Sequence, residues 1–162
     1  MDQVGGMVET LADQILNKVG PVKELYHRLI LVVAPAGSGK TSALQEVCER
    51  KGAPLININL ELSRRMLDLT ARQRALQLPR ILGELVSSSS GEAVLLDNIE
   101  ILFDPSLKQD PLRLLQGLSR NKTIIAAWNG SFVNGHITYA KPDHPEYRRY
   151  PANGIFVINP EK

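Results

Sequence analysis

The chain has 162 residues, 43% of them hydrophobic and 22% charged, with a net charge of +2 and a single cysteine, Cys48. A chain of this length buries about 70% of its unfolded surface as one domain, so the composition excludes a disulfide-framed module. The scattered His27, His136 and His144 match no metal-ligand spacing. The longest apolar run, 29–36, is far short of the ~20 residues that cross a bilayer, and no basic-then-apolar leader opens the chain. The expectation is a soluble cytoplasmic protein without a membrane partner, its Cys48 a small buried hydrophobe on a helix.

Val8, Leu11, Ala12, Ile15 and Leu16 recur at helical spacing, which predicts an amphipathic helix over 8–18 that ends before Gly20-Pro21. Val22 to His27 adds a helical turn, and the apolar run from Leu29 to Val33 predicts a strand over 28–34. Next come Ala34-Pro35-Ala36-Gly37-Ser38-Gly39-Lys40-Thr41 and a helix over 39–50, stopped by Gly52 and Pro54. Glycines between a strand and a helix let backbone N–H groups turn inward onto an anion that also meets the positive helix end. Ala36, Gly37, Ser38, Gly39, Lys40, Thr41 and Ser42 are therefore the expected nucleotide-binding residues, Lys40 on the β and γ phosphates and the Thr41 hydroxyl on magnesium. The pattern usually opens with Gly where this chain has Ala34, a mild departure because residues 36–41 form the cradle. ATP and Mg are the expected cofactors.

Leu55 to Leu60 reads as an edge strand, since its polarity is mixed. A long helical tract over 63–87 follows, with Pro79 expected to kink or split it, then a flexible connection over 87–91. Ala93 to Asp97 is a strand buried on both faces. Asp104 to Asp110 is a loop, and Pro111 opens a helix to about Ser119. Thr123 to Asn129 is another buried strand. Asn134-Gly135 within Phe132 to Tyr139 signals a hairpin projecting from the core; a turn-rich charged passage leads to a fifth strand, Ile155 to Ile158. The alternation predicts an α/β fold: a P-loop NTPase core resembling the AAA+ class, with a mostly parallel five-stranded sheet and helices on both faces. One domain spans 1–162, with an N-terminal helix in 1–20, a hairpin and loop insertion over 131–150, and no C-terminal helical lid.

Ligands of such sheets bind beyond the strand carboxyl ends, where the phosphate loop, Asp97 and Asn129 all fall. Asp97 looks like a Walker B carboxylate, holding magnesium through water together with Thr41; the other reading is a helix cap. Many ATPases place a water-orienting glutamate directly after that aspartate. Here Asn98 follows, and Glu100 substitutes only if the chain turns there. Asn129 resembles the sensor 1 position of AAA+ proteins, or else opens a turn before Gly130. Arg148 and Arg149 stand where AAA+ proteins carry an arginine finger that acts on a neighbouring subunit, with two surface arginines an equal reading. The cluster Arg64, Arg65, Arg72, Arg74 and Arg80 reads as a solvated or subunit-facing helix surface in preference to a DNA contact.

Several runs carry a closer resemblance: Leu60 to Arg65 with Ala75-Leu76-Gln77-Leu78-Pro79, Leu95-Leu96-Asp97-Asn98, Phe103 to Gln116, and Ala127-Trp128-Asn129-Gly130. Together they resemble the BrxF family, the small P-loop proteins of type 3 BREX bacteriophage-exclusion systems, over about residues 25 to 158. The Asp104-Pro-Ser-Leu-Lys-Gln-Asp-Pro111 stretch is the most specific part. The resemblance implies a cytoplasmic bacterial defence component working beside a DNA methyltransferase and other system proteins. Three functions stay open at this point: an oligomeric ATP-hydrolysing subunit, a non-catalytic nucleotide switch that orders an assembly, and a small-molecule kinase.

Overall fold

A computed structural model describes residues 9–160 of the chain. Thr10 caps the first helix, α1 (Leu11–Val19): its hydroxyl accepts from the Asp13 N–H while the Asp13 carboxylate takes the Thr10 N–H. The expected contribution of Val8 lies outside the described residues. A 3₁₀ turn over Pro21–Glu24 leads to β1 (Leu29–Ala34). Helix α2 (Lys40–Lys51) runs between two left-handed glycines, Gly39 and Gly52. The second strand, β2 (Leu55–Asn57), is an edge strand of three residues rather than six. It stops because the Asn57 side chain accepts from the Leu60 N–H and starts α3 (Ile58–Arg65).

The expected single helix over 63–87 is two. Residues 66–70 separate α3 from α4 (Ala71–Ser87), where Thr70 and Gln73 form a capping box. Pro79 does not split α4. Proline has no N–H, so the Ala75 carbonyl one turn back loses its helical donor. The Gln109 side chain supplies one, its Nε2 donating to Ala75 O at 2.8 Å.

β3 (Ala93–Asp97) leads into 3₁₀ segments over Ile99–Phe103 and Pro105–Leu107, then α5 (Pro111–Leu118) and β4 (Thr123–Asn129). The final strand of the main sheet, β8 (Phe156–Ile158), pairs with β1. The sheet is parallel, in the order β2-β3-β4-β1-β8. Alternation divides its side chains between two cores. Leu29, Leu31, Val33, Ile124, Ala126 and Trp128 join the α3–α4 side, while Ile30, Val32, Leu95 and Ile125 face α1 and α2. Cys48 is half-buried against the second of these cores.

The insertion holds three strands rather than a two-stranded ribbon: β5 (Ser131–Val133), β6 (His136–Tyr139) and β7 (Arg148–Pro151), in antiparallel order β5-β6-β7. Asn134 and Gly135 take the two positive φ angles of the expected tight turn. The insertion does not project. Ile137 is fully buried, and Phe132, Tyr139 and Tyr150 pack on the α3–α4 core. Gly130 permits this docking, since a Cβ there would lie 1.8 Å from the Thr138 carbonyl, which accepts from the Trp128 indole. Among the described residues no helix is long and apolar enough to cross a membrane.

The Pro79–Gln109 relation has a thermodynamic consequence. Gln109→Ala leaves a helix carbonyl unpaired and should cost about 1–3 kcal/mol in urea unfolding. Pro79→Ala restores the N–H, so in the double variant most of that cost should vanish.

Candidate functional site

The phosphate loop rises from the end of β1 and returns as the first turn of α2. Gly37 and Gly39 take φ of 79° and 92°, conformations that a side chain would strain. Lys40 is buried beneath the loop, its ammonium donating to the carbonyls of Ala34 at 2.8 Å and Pro35 at 2.7 Å and reaching Ser38 Oγ at 3.3 Å. An open cleft of about 360 Å³ above it is lined by Ala36, Gly37, Gly39, Lys40, Thr41, Ser42, Asp97, Asn98, Glu100 and Asn129. The structure thus gathers the residues expected around the phosphates, with Ser38 held through Lys40.

Thr41 Oγ1 donates to Asp97 Oδ2 at 2.7 Å, tying the first turn of α2 to the end of β3. A hydroxyl and a carboxylate are hard oxygen donors, and two of them touching at the base of an open cleft fit magnesium held largely through water. Asp97 does not cap a regular α-helix. Its other oxygen accepts from the Asn98 N–H at 2.9 Å.

Asn98 is the turn that the expectation for Glu100 required. It is left-handed, at φ 54° and ψ 54°, a conformation that asparagine enters several-fold more often than most residues. The chain then coils as a 3₁₀ segment, and Glu100 enters the cleft. There its carboxylate accepts from the Asn129 amide at 2.6 Å. The glutamate that comes three positions after Asp97 in sequence is therefore beside the phosphate loop in space.

Arg148 and Arg149 lie in β7 and do not line this cleft. Arg148 Nη2 donates to the Gln109 carbonyl at 2.8 Å, whereas Arg149 is exposed opposite Thr138. Within the arginine cluster, Arg64 and Arg65 pair with Glu61, Arg80 pairs with Glu84, and Arg74 donates to the carbonyls of Leu67 and Leu69.

Sequence reasoning read Asn98 only as the residue standing in place of a glutamate, and it passed over Tyr139. The Tyr139 ring stacks on Phe103 with centroids 3.6 Å apart. Burial, then the negative charges of Glu100 and Glu146, push its phenol up to about 12. Tyr139 also lines a second, largely apolar cavity of about 490 Å³ that shares Ala36 and Asn129 with the first. Tyr139 closes the stretch read as a hairpin, and neither that reading nor the turn-rich charged passage after it signalled this wall.

Neither a protein-family model nor a curated protein matches the sequence. Solved structures do. The replication initiator DnaA bound to AMPPCP and single-stranded DNA is 17% identical with a TM-score of 0.50, over 95% of this chain and 46% of that one. PCH-2 of C. elegans is 16% identical with a TM-score of 0.50, over 94% and 44%. The chain spans less than half the length of either match. The similarity shows the fold: an α/β P-loop core of the AAA+ type.

Tyr139 is neutral in the folded chain at pH values where the unfolded phenol, at about 10, ionises. Folded protein then binds more protons than unfolded, so stability should fall as pH rises from about 10 through about 12. Tyr139→Phe should flatten that fall in pH-dependent urea titrations.

Proposed function

We propose that this chain binds ATP with magnesium and hydrolyses it. The observation that carries the reading is the pair of contacts in one cleft, Thr41 to Asp97 and Asn129 to Glu100. The likeness of fold to a protein solved with AMPPCP supports an adenine nucleotide.

On this reading the N–H groups of residues 37–41 hold the β-phosphate, and Lys40 exchanges the Ala34 and Pro35 carbonyls for phosphate oxygens. Thr41 and Asp97 would hold magnesium, which when bound would supply positive charge against the phosphates. The Asn129 amide turns toward the γ-phosphate, freeing the Glu100 carboxylate to accept a proton from water. The water oxygen bonds to the γ-phosphorus as the bond to the ADP oxygen breaks, giving ADP and phosphate. Glu100 thus takes the role usually given to a glutamate directly after the Walker B aspartate.

Arg148 is engaged within its own chain, so Arg149 is the better candidate to act on a neighbouring copy, completing a site in a homo-oligomer. The Asp104–Pro111 run and its companions support membership in a BREX-type defence assembly with other proteins of that system. A cavity beside Asn129 favours a second reading, small-molecule kinase; ATP consumption that requires an added acceptor would select it.

Lys40→Ala should weaken ATP binding in calorimetry by about ten- to hundredfold, the loss of a charge-assisted contact of about 1.5–3 kcal/mol. Unchanged affinity would refute the nucleotide site. Glu100→Gln should retain ATP affinity while phosphate release falls about 10²-fold or more; undiminished release would remove Glu100 from the chemistry. Light scattering with and without ATP and magnesium tests the assembly.

A further inference from the structure

The parallel sheet gathers a second set of loops at its other end, where the chain enters the strands. Those loops, with the last residue of α2, contain Lys23, Arg28, Lys51, Arg120 and Lys122 against Glu24 and Glu92, a charge of +3 where the whole chain has +2. This end of the molecule, opposite the phosphate loop, is therefore cationic. Four of the five make contacts that hold them at this end. Arg28 Nη2 donates to the Arg120 carbonyl at 3.0 Å, Lys23 lies 3.4 Å from Glu92, and Lys122 donates to the carbonyls of Val86 and Ser89. Ser87 to Ser90 adds neutral polar surface beside them.

Two further observations fall on this end. Tyr26 is 70% exposed, with the Arg120 guanidinium 5.1 Å over its ring and the His27 ring edge-on at 4.7 Å. Between Lys23 and Lys51 opens a cavity of about 240 Å³ that Thr123 also lines. The Thr123 hydroxyl is buried with no hydrogen-bond partner in the protein, and a buried polar group left so costs stability. A surface charged for an anion, a flat aromatic at its rim and an unsatisfied hydroxyl in its hollow call for one ligand with phosphates and a planar ring.

We propose that this end of the sheet binds single-stranded nucleic acid, with phosphates on Lys51, Arg120 and Lys23 and an unpaired base on Tyr26. A phosphate, or a water it orders, entering the hollow would satisfy Thr123. A single strand is favoured over a duplex because stacking on an exposed ring needs a base face that pairing and stacking in a duplex conceal. The site is separate from the Arg64–Arg80 helix surface, where Arg64 and Arg65 share Glu61 and Arg80 pairs with Glu84.

Fluorescence anisotropy of the full chain with a labelled single strand of about 20 nucleotides tests this. Binding should weaken with salt at a log–log slope of about −2 for three phosphate contacts. Tyr26→Ala should weaken it at least fivefold and Tyr26→Phe should restore it, since the phenyl ring still stacks. The double variant Lys51→Glu, Arg120→Glu should abolish it, while Arg64→Glu leaves it intact. ATP affinity should be unchanged in all four, so a failed nucleotide site and a failed strand site are told apart. No binding by the wild type at low salt, tighter binding of duplex, or equal affinity in Tyr26→Ala and the double variant would overturn the proposal.

Discussion

Parallel strand register decides where chemistry is placed in this fold. Ala34 of β1 is level with Asn129 of β4, while β3 pairs Leu96 with Ala126, so Asp97 lies two residues lower than Asn129. The phosphate loop must therefore lift off β1, turn, and bring the first residues of α2 back down to meet the carboxylate. The Thr41–Asp97 hydrogen bond closes that circuit. The two left-handed glycines make the turn achievable without strain.

The glutamate is delivered by a different device. A strand alternates its side chains between faces, so a residue three positions beyond Asp97 in extended chain would be carried up and away from the loop. The left-handed Asn98 breaks that course, and its carbonyl accepts from the Asn59 N–H at 3.0 Å, anchoring the turn to the start of α3. Ile99, Leu102 and Phe103 then pack into the core and fix the segment from which Glu100 emerges.

A brace of ordinary contacts supports this geometry from behind. Gln109 fills the gap that Pro79 leaves in α4, and its own carbonyl takes Arg148 from β7. Its neighbour Asp110 caps α5 and accepts from the Tyr150 hydroxyl; burial first, then that carboxylate, raise the Tyr150 phenol well above its usual range. The run from Asp104 to Pro111 thus joins α4, α5 and the small sheet. Its distinctive sequence reflects capping and carbonyl satisfaction, with no side chain in the phosphate cleft.

Local sequence determined the parts whose signals are local. Glycine spacing with Lys40 and Thr41, the apolar runs of β1, β3 and β4, and Asn134-Gly135 each encode a backbone conformation or a burial pattern in a few residues. The α/β class and the phosphate loop were legible for that reason. The end of β2 and the break before α4 depended on side-chain caps at Asn57 and Thr70, visible in sequence but outweighed there by longer apolar and helical periodicities. Tertiary structure alone decided the rest, because it turned on contacts between distant segments. The docking of β7 on β6 placed Arg148 against Gln109 and left Arg149 in solvent. The αL turn at Asn98 set Glu100 against Asn129, across 29 residues of chain. No pattern along the sequence measures such a distance; only the folded sheet does.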